Sequence, residues 1–332
     1  SSGGETRVLR GTYGDRAIYT RMAARAMRLW TEHDAASGRQ FFQRIGALWI
    51  FGRDDAFGTA SLEPMRASGL PVEWFDPAEA SRRWPQISFT GVSRVLWEPE
   101  AGYALARRAC EHVVATLVAE GGRYLQARVP AVRIEPDTLG QVTLDTGESL
   151  AADAFVFACG PWMGTMFPDV IGSRIRPTRQ ESFYFGTPAG ETRWTAPQMP
   201  VWLDYRAHLF YGIPDNAHRG FKVADDTQGP PFDPTGGDRS PSADSLSAAR
   251  TLLRERFPAL ADAPLLGSEV CQYEVTSDSH FLIDRHPGAA NVWLVGGGSG
   301  HGYKMGPALG EYVSTLLLQG GDPDPVFRLA HR

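Results

Sequence analysis

The run GGGSGHGYK at positions 296–304 constrains this chain more than any other feature. It follows an apolar stretch, Asn291 to Val295, and opens an amphipathic segment, Met305 to Leu318. That order predicts a buried strand ending in a glycine-rich turn, with a helix starting directly after it. Glycine reaches backbone conformations closed to other residues and lets the chain approach a flat ligand. A helix N-terminus adds unpaired N–H groups and a partial positive charge. A ligand whose edge gains negative charge would use such a junction. A tight strand-to-helix turn with no ligand would have the same sequence, and the motif alone leaves both open.

With 332 residues the chain can form one large domain or two interleaved ones around a sizeable core. Its 42% hydrophobic and 21% charged residues are those of an ordinary globular protein. A net charge of −5 and a pI near 5.9 give no electrostatic case for nucleic acid or an anionic membrane surface. No apolar run approaches the roughly 20 residues needed to span a bilayer, and no signal-peptide pattern is visible. Cys110, Cys159 and Cys271 are odd in number and far apart. They predict reduced thiols in a cytoplasmic protein, with neither a disulfide framework nor a zinc site.

Residues 1–7 read as a loop with no leading strand. Helices are predicted from about Asp15 to Asp34, from Pro77 to Arg83 behind an Asp76 cap, from Ala104 to Glu120, and from Asp244 to Phe257. Strands are predicted at 47–52, 95–98, around Tyr124, Val132 and Val142, and at 270–273 and 281–284. The stretch AFVFA at 154–158 reads as a fully buried strand, and it meets a second strand-to-turn-to-helix junction at CGPW, 159–162. From 176 to about 223 aromatics recur at β-like spacing, and 229–242 should be an exposed loop. Buried parallel-type strands on either side of a long β-rich insertion suggest two parts that interleave in sequence.

Taken in order, the motifs GETRVLR (4–10) with YG (13–14), RWP (83–85), WEPEAG (97–102), AFVFACG (154–160), FYG (210–212), GFK (220–222), VCQY (270–273), HFLID (280–284) and SGHGYK (299–304) resemble one family. The chain is similar to the flavin-dependent amine oxidases of the D-amino-acid oxidase superfamily, nearest the branch of sarcosine and N-methyl amino acid oxidases. The resemblance implies an α/β fold in which a Rossmann-like FAD-binding part (1–45, 103–175 and 270–325) interleaves with an antiparallel β-sheet substrate part (46–102 and 176–269). The family's opening strand, G-x-G-x-x-G turn and helix, which hold the FAD pyrophosphate, find no match before Ser1. Roughly 40 residues, about one βαβ unit, are expected there. The chain is then a fragment of a longer protein, is completed by a separate chain, or has lost flavin binding. The first two are favoured, because nearly every downstream flavin-site residue is kept.

The resemblance also implies roles. Cys271 lies where the family attaches FAD covalently through a thioether; read alone it is a small buried hydrophobe. Arg7, Val129, Gly160, Trp162, Gly298, Gly300, His301, Gly302 and Lys304 fall in the cofactor set, and Tyr13 and Asp15 join Arg7 in a polar group beneath the flavin. His301 is equally readable as a structural hydrogen-bonder. Lys222 matches the lysine that activates oxygen; on its own it is a solvated strand lysine. Arg10 and Lys304 match a pair that holds a substrate carboxylate. A lysine in the first turn of a helix opposes the helix dipole, a local violation of the kind found at functional sites. Tyr211, Tyr273 and Trp202 fall where the family lines its substrate pocket, Trp202 being as readable as core.

Three positions depart from the sarcosine oxidases. Gly3 and Asp226 replace histidines and Trp202 replaces a methionine, which suggests a bulkier or cyclic secondary amine acid. Asp226, four residues after Lys222, is placed to pair with it and blunt its field. The implied reaction moves a hydride equivalent from the carbon beside a neutral amine nitrogen to flavin; water hydrolyses the imine, and oxygen is reduced to hydrogen peroxide. Two alternatives stand beside it: a dehydrogenase that passes electrons to a protein acceptor, and a flavin-free binding subunit.

Overall fold

The computed structural model describes residues 3–130, 132, 134 and 137–331. Its centre is an eight-stranded sheet in the order Leu265–Val275, Arg176–Phe185, Phe221–Asp225, Phe210–Ile213, Val201–Tyr205, Ala47–Phe51, Arg94–Glu98, Glu73–Phe75. All neighbours are antiparallel except Val201–Tyr205 with Ala47–Phe51. Two three-stranded sheets accompany it, besides the pair Gln141–Thr143 with Ser149–Ala151. One orders Thr6–Leu9, Gly102–Leu105 and Phe42–Gln43; the other orders Leu282–His286, Ala289–Gly296 and Phe155–Phe157. The helices Ala17–Ser37 and Gly302–Gln319 pack on one another beside them.

Side chains alternate between the faces of a strand, so the register decides which residues share a face. On one face of the large sheet Leu48, Ile50, Trp202, Phe183, Phe221 and Val223 pack against Ala249, Leu252 and Leu253 of the helix Ala243–Arg256. This is the main core, and each large side chain removed from water there contributes roughly 1.5–3 kcal/mol. The other face carries the polar groups. Cys271 stands opposite Gln180, Glu269 opposite Ser182, Tyr184 opposite Lys222, and Tyr211 opposite Leu203. A one-residue slip of any strand would exchange its two faces.

Most predicted elements are present within a residue or two, including the Asp76 cap, whose carboxylate accepts from the Glu79 amide at 2.7 Å. Four expectations need correction. Residues 1–7 are not all loop: Thr6–Leu9 is a strand paired with Gly102–Leu105, while Ser1 and Ser2 lie outside the described residues. Tyr124 and Val132 are in no strand. A strand needs a partner, and among the described residues near them the backbone of Arg128 bonds to Asp145, outside any strand. Ala131, Arg133, Glu135 and Pro136 lie outside the described residues. The strand Phe155–Phe157 does pair in parallel with 292–294 but is not fully buried, for Val156 is 44% exposed. A helix, Ala56–Ala67, was not expected, because Gly58 and Pro64 interrupt its pattern.

No helix of the described residues is long and apolar enough to cross a membrane. No cluster of His, Cys, Asp or Glu among them is placed to hold a metal ion.

Candidate active site

The glycine-rich turn forms as its sequence requires. The strand Ala289–Gly296 ends, Gly297 and Gly300 take left-handed backbone angles (φ 71° and 82°), and the helix begins at Gly302. A Cβ on Gly300 would stand 2.6 Å from the Tyr273 ring, so the turn can touch the large sheet only because that residue is glycine. No side chain caps the helix start. Gly302 and Gly306, one turn apart, would meet nothing within 4 Å with a Cβ added. They bare the backbone to a cavity of about 750 Å³ whose wall includes Arg7, Trp30, Cys110, Tyr273 and Glu274.

A second, smaller cavity of about 70 Å³ adjoins it, and Arg7, Tyr273, Gly300 and Tyr303 line both. Arg10, Lys222, Asp226, Cys271, Tyr211 and Lys304 line the smaller one. Residues from five separate stretches of chain thus meet here. The Arg10 guanidinium lies 4.6 Å from the Tyr13 ring and 4.9 Å from the Trp49 ring, and it donates to the Thr12 carbonyl. Lys304 Nζ lies 5.7 Å from the same Tyr13 ring and donates to the His301 carbonyl at 3.3 Å. Both predicted carboxylate holders therefore share one aromatic neighbour.

Burial and the nearby Arg10 charge push Lys304 well below the usual lysine range. Burial, with Arg7, brings Lys222 down to about 8. Its ammonium lies 5.8 Å and 6.0 Å from the rings of Tyr184 and Tyr211, so it is a buried strand lysine and not a solvated one. Burial raises Tyr13, Tyr211 and Tyr273, which keep their protons. His301 is brought down to about 3 by burial and by Lys304. Its Nε2 lies 3.0 Å from the Ser279 carbonyl oxygen and its ring stacks on Phe281. It is neutral, and its contacts are those of the structural hydrogen-bonder.

Several expected residues stand elsewhere. Trp202 is fully buried on the opposite face of the sheet, stacked on Phe221, because Leu203 takes the cavity-facing position of that strand. The inference of a bulkier substrate loses that support. Asp15 is exposed, within the turn that follows the buried Tyr13. Val129 and Trp162 line neither cavity; the Trp162 indole donates to Thr235 at 2.8 Å. Gly160 adopts φ 55° facing Glu274. Asp226 makes no pair with Lys222: it turns to the Tyr273 hydroxyl, 2.8 Å away.

Two site residues escaped the sequence reading. Glu98 accepts from the Gly11 amide and the Trp49 indole, each at 2.7 Å, and from Thr12, fixing the stretch that carries Arg10. Glu274 accepts from the Gly297 amide at 3.2 Å and so ties the glycine turn to the sheet; burial raises its proton affinity. A carboxylate directly after the VCQY motif was the available signal for Glu274.

Bare glycine backbone, an uncapped helix start, Arg7 and an aromatic wall at one cavity fit a flavin. The chain is 28% identical over 324 residues to a monomeric sarcosine oxidase of a Bacillus species (strain B-0618), covering 96% of this chain and 82% of that enzyme. It is 26% identical over 334 residues to an N-methyl-L-tryptophan oxidase of Yersinia pestis (strain Pestoides F), covering 97% and 85%. A solved L-proline dehydrogenase from P. horikoshii shares the fold, with a TM-score of 0.84 over 96% of this chain and 83% of that one at 22% identity. These relatives give no support to a separate chain completing this one, the Bacillus enzyme being monomeric by name. Matched over residues 1–316 by the model of FAD dependent oxidoreductases, the chain belongs to that family, DAO, and is an FAD-dependent oxidoreductase.

Proposed function

We propose that the chain oxidises the secondary amine of an N-alkyl amino acid to an imine, with oxygen as final acceptor and hydrogen peroxide as product. The observation that carries this reading is the convergence of Arg10 and Lys304 on an aromatic-walled cavity that adjoins the cofactor cavity. The two oxidases named above act on sarcosine and on N-methyl-L-tryptophan, both N-methyl amino acids. Residues 1–45, 103–175 and 270–325 form the cofactor part in this reading, and 46–102 with 176–269 the substrate part.

Bound FAD would supply the acceptor for the hydride equivalent that leaves the carbon beside nitrogen. Arg7, Gly298, Gly300, Gly302 and the helix start would hold it, with Cys271 as its covalent anchor. The chain's own residues do the rest. Arg10 and Lys304 hold the carboxylate through charge-assisted hydrogen bonds. A carboxylate arriving beside Lys304 favours its charged form, reversing part of what burial does. Tyr211 and Tyr273 offer ring faces to the N-alkyl group and keep their hydroxyl protons. Lys222 holds a positive charge where oxygen is reduced. Water hydrolyses the imine.

The direct test supplies N-methyl amino acids to the flavin-loaded protein and measures peroxide; no peroxide with any of them overturns the reading. Arg10→Gln is expected to weaken carboxylate inhibitors roughly tenfold or more. Titration of the flavin spectrum reads this, and unchanged affinity in both Arg10→Gln and Lys304→Met would remove the carboxylate pair. Acid-precipitated holoprotein is expected to stay yellow, and Cys271→Ala to release its colour to the supernatant. Colour retained in the Cys271→Ala pellet would place the anchor elsewhere.

A further inference from the structure

The smaller cavity holds a charged group that carboxylate binding does not use. The Asp226 amide donates to the Leu209 carbonyl at 2.8 Å, which fixes the residue at the end of the strand Phe221–Asp225. Its Oδ1 accepts from the Tyr273 hydroxyl at 2.8 Å. Arg10 and Lys304 both act on its charge, yet neither closes on it. Arg10 stays over Tyr13 and Trp49, and Lys304 stays on the His301 carbonyl. Arg10, Lys304 and Asp226 therefore line one cavity without closing on one another, beside Arg7, Lys222, Asp225 and Glu269. An α-amino acid carries an ammonium and a carboxylate on one carbon, and it would complete both halves of this arrangement. A simple carboxylate would gain the cations and meet repulsion from Asp226.

We propose that Asp226 receives the substrate's amine: its free Oδ2 pairs with the ammonium of a zwitterionic N-alkyl amino acid and takes one proton from it. This rests on the amine-oxidising reading above. The N–H bond breaks, its proton goes to Oδ2, and the electron pair stays on nitrogen, which leaves the neutral amine that can lose a hydride equivalent. Tyr273 holds the carboxylate in place and remains the donor to Oδ1. Tyr13, Tyr211, Asp225, Arg10 and Lys304 act on or with Asp226, and Arg7, Lys222, Glu269, Cys271 and His301 line the same cavity. Burial raises its proton affinity and the Tyr273 hydrogen bond with the two cations opposes that rise, which suits a group that must first be a carboxylate and then hold a proton.

The test compares two inert probes on the flavin-loaded protein by calorimetry near neutral pH: glycine betaine, a fixed zwitterion, and methylthioacetate, a carboxylate with no cation. Asp226→Asn keeps the size and the acceptor for Tyr273. It is expected to weaken betaine about tenfold or more and to leave methylthioacetate as tight or tighter. The second readout is the pH profile of kcat/KM for an N-methyl amino acid. The wild type should be flat through neutrality. The variant should rise with pH, by about tenfold per unit, until the substrate's own amine loses its proton. An unchanged ratio of the two affinities, or a wild type that binds methylthioacetate and rejects betaine, overturns the role of Asp226. A changed ratio with a flat profile overturns the proton transfer. A wild type that binds neither probe overturns the amine-acid reading, and this proposal with it.

Discussion

Replacing Lys222 by Met is expected to slow reoxidation of the reduced flavin by oxygen roughly hundredfold or more, while reduction by substrate stays within about tenfold. Oxygen arrives neutral and gains charge only as an electron reaches it, so a fixed ammonium favours the charged transition state over the ground state. The structure strengthens the case in two ways. The lysine is 3% exposed, so solvent does not screen its charge, and Asp226 does not neutralise it, being turned to Tyr273. The lowered proton affinity adds a pH signature. With its folded pKa near 8, Lys222 carries its charge below that pH and loses it above. Wild-type reoxidation should therefore fall as pH rises through about 8, and the Met variant should show no such fall. Stopped-flow traces of the two half-reactions decide it. Reduction lost with reoxidation intact would make Lys222 a substrate residue. Neither rate changed would leave it a buried strand lysine with no part in oxygen chemistry.

Asp204→Asn is expected to cost about 3–5 kcal/mol of stability without altering the cavity. Asp204 lies on the core face of the large sheet. Its carboxylate meets Arg256 Nε at 2.7 Å and Arg206 Nε at 2.9 Å, and the Arg256 side chain is 1% exposed. Arg256 also donates to the Ser88 and Thr90 carbonyls, which ties the helix Ala243–Arg256 to the loop beyond Ile87. An isosteric amide keeps the packing and leaves the buried Arg256 charge without its carboxylate, while Arg206 keeps Glu255 at 3.0 Å. The urea midpoint followed by circular dichroism reads the loss, and the flavin spectrum of the folded variant should match wild type. A loss below about 1 kcal/mol would mean that water reaches Arg256. The pair Asp204→Leu with Arg256→Met should recover much of the loss, since a hydrophobic replacement of a buried ion pair is often neutral.

Elements with strong local signals were legible from the residues. The helix Pro77–Arg83 was placed by its cap, Ala17–Ser37 by its apolar stripe, and the junction at 296–304 by glycines between an apolar run and an amphipathic one. Ala56–Ala67 was not legible, because tertiary contacts hold a helix that Gly58 and Pro64 weaken. Val156 was misjudged because an apolar run tells that a strand is apolar, not that both its faces are covered.

The site divides in the same way. Motif order alone placed Lys222, Arg10, Lys304, Tyr211, Tyr273 and Cys271 among the candidates, and all six line the smaller cavity. Which face each strand turns to that cavity was decided by register across the eight-stranded sheet. That is why Trp202 is core and Leu203 is wall, though adjacent in sequence. Asp226 shows the limit most plainly. Its distance along the chain suggested Lys222 as a partner, four residues away. Pairing of Phe221–Asp225 with Phe210–Ile213, and the approach of Leu265–Val275, delivered it to Tyr273, 47 residues off. Local sequence determines what one strand or helix can be, because propensity, capping and backbone freedom act over a few residues. Which charges face one another across a cavity depends on contacts between distant strands, and these form only when the whole sheet does.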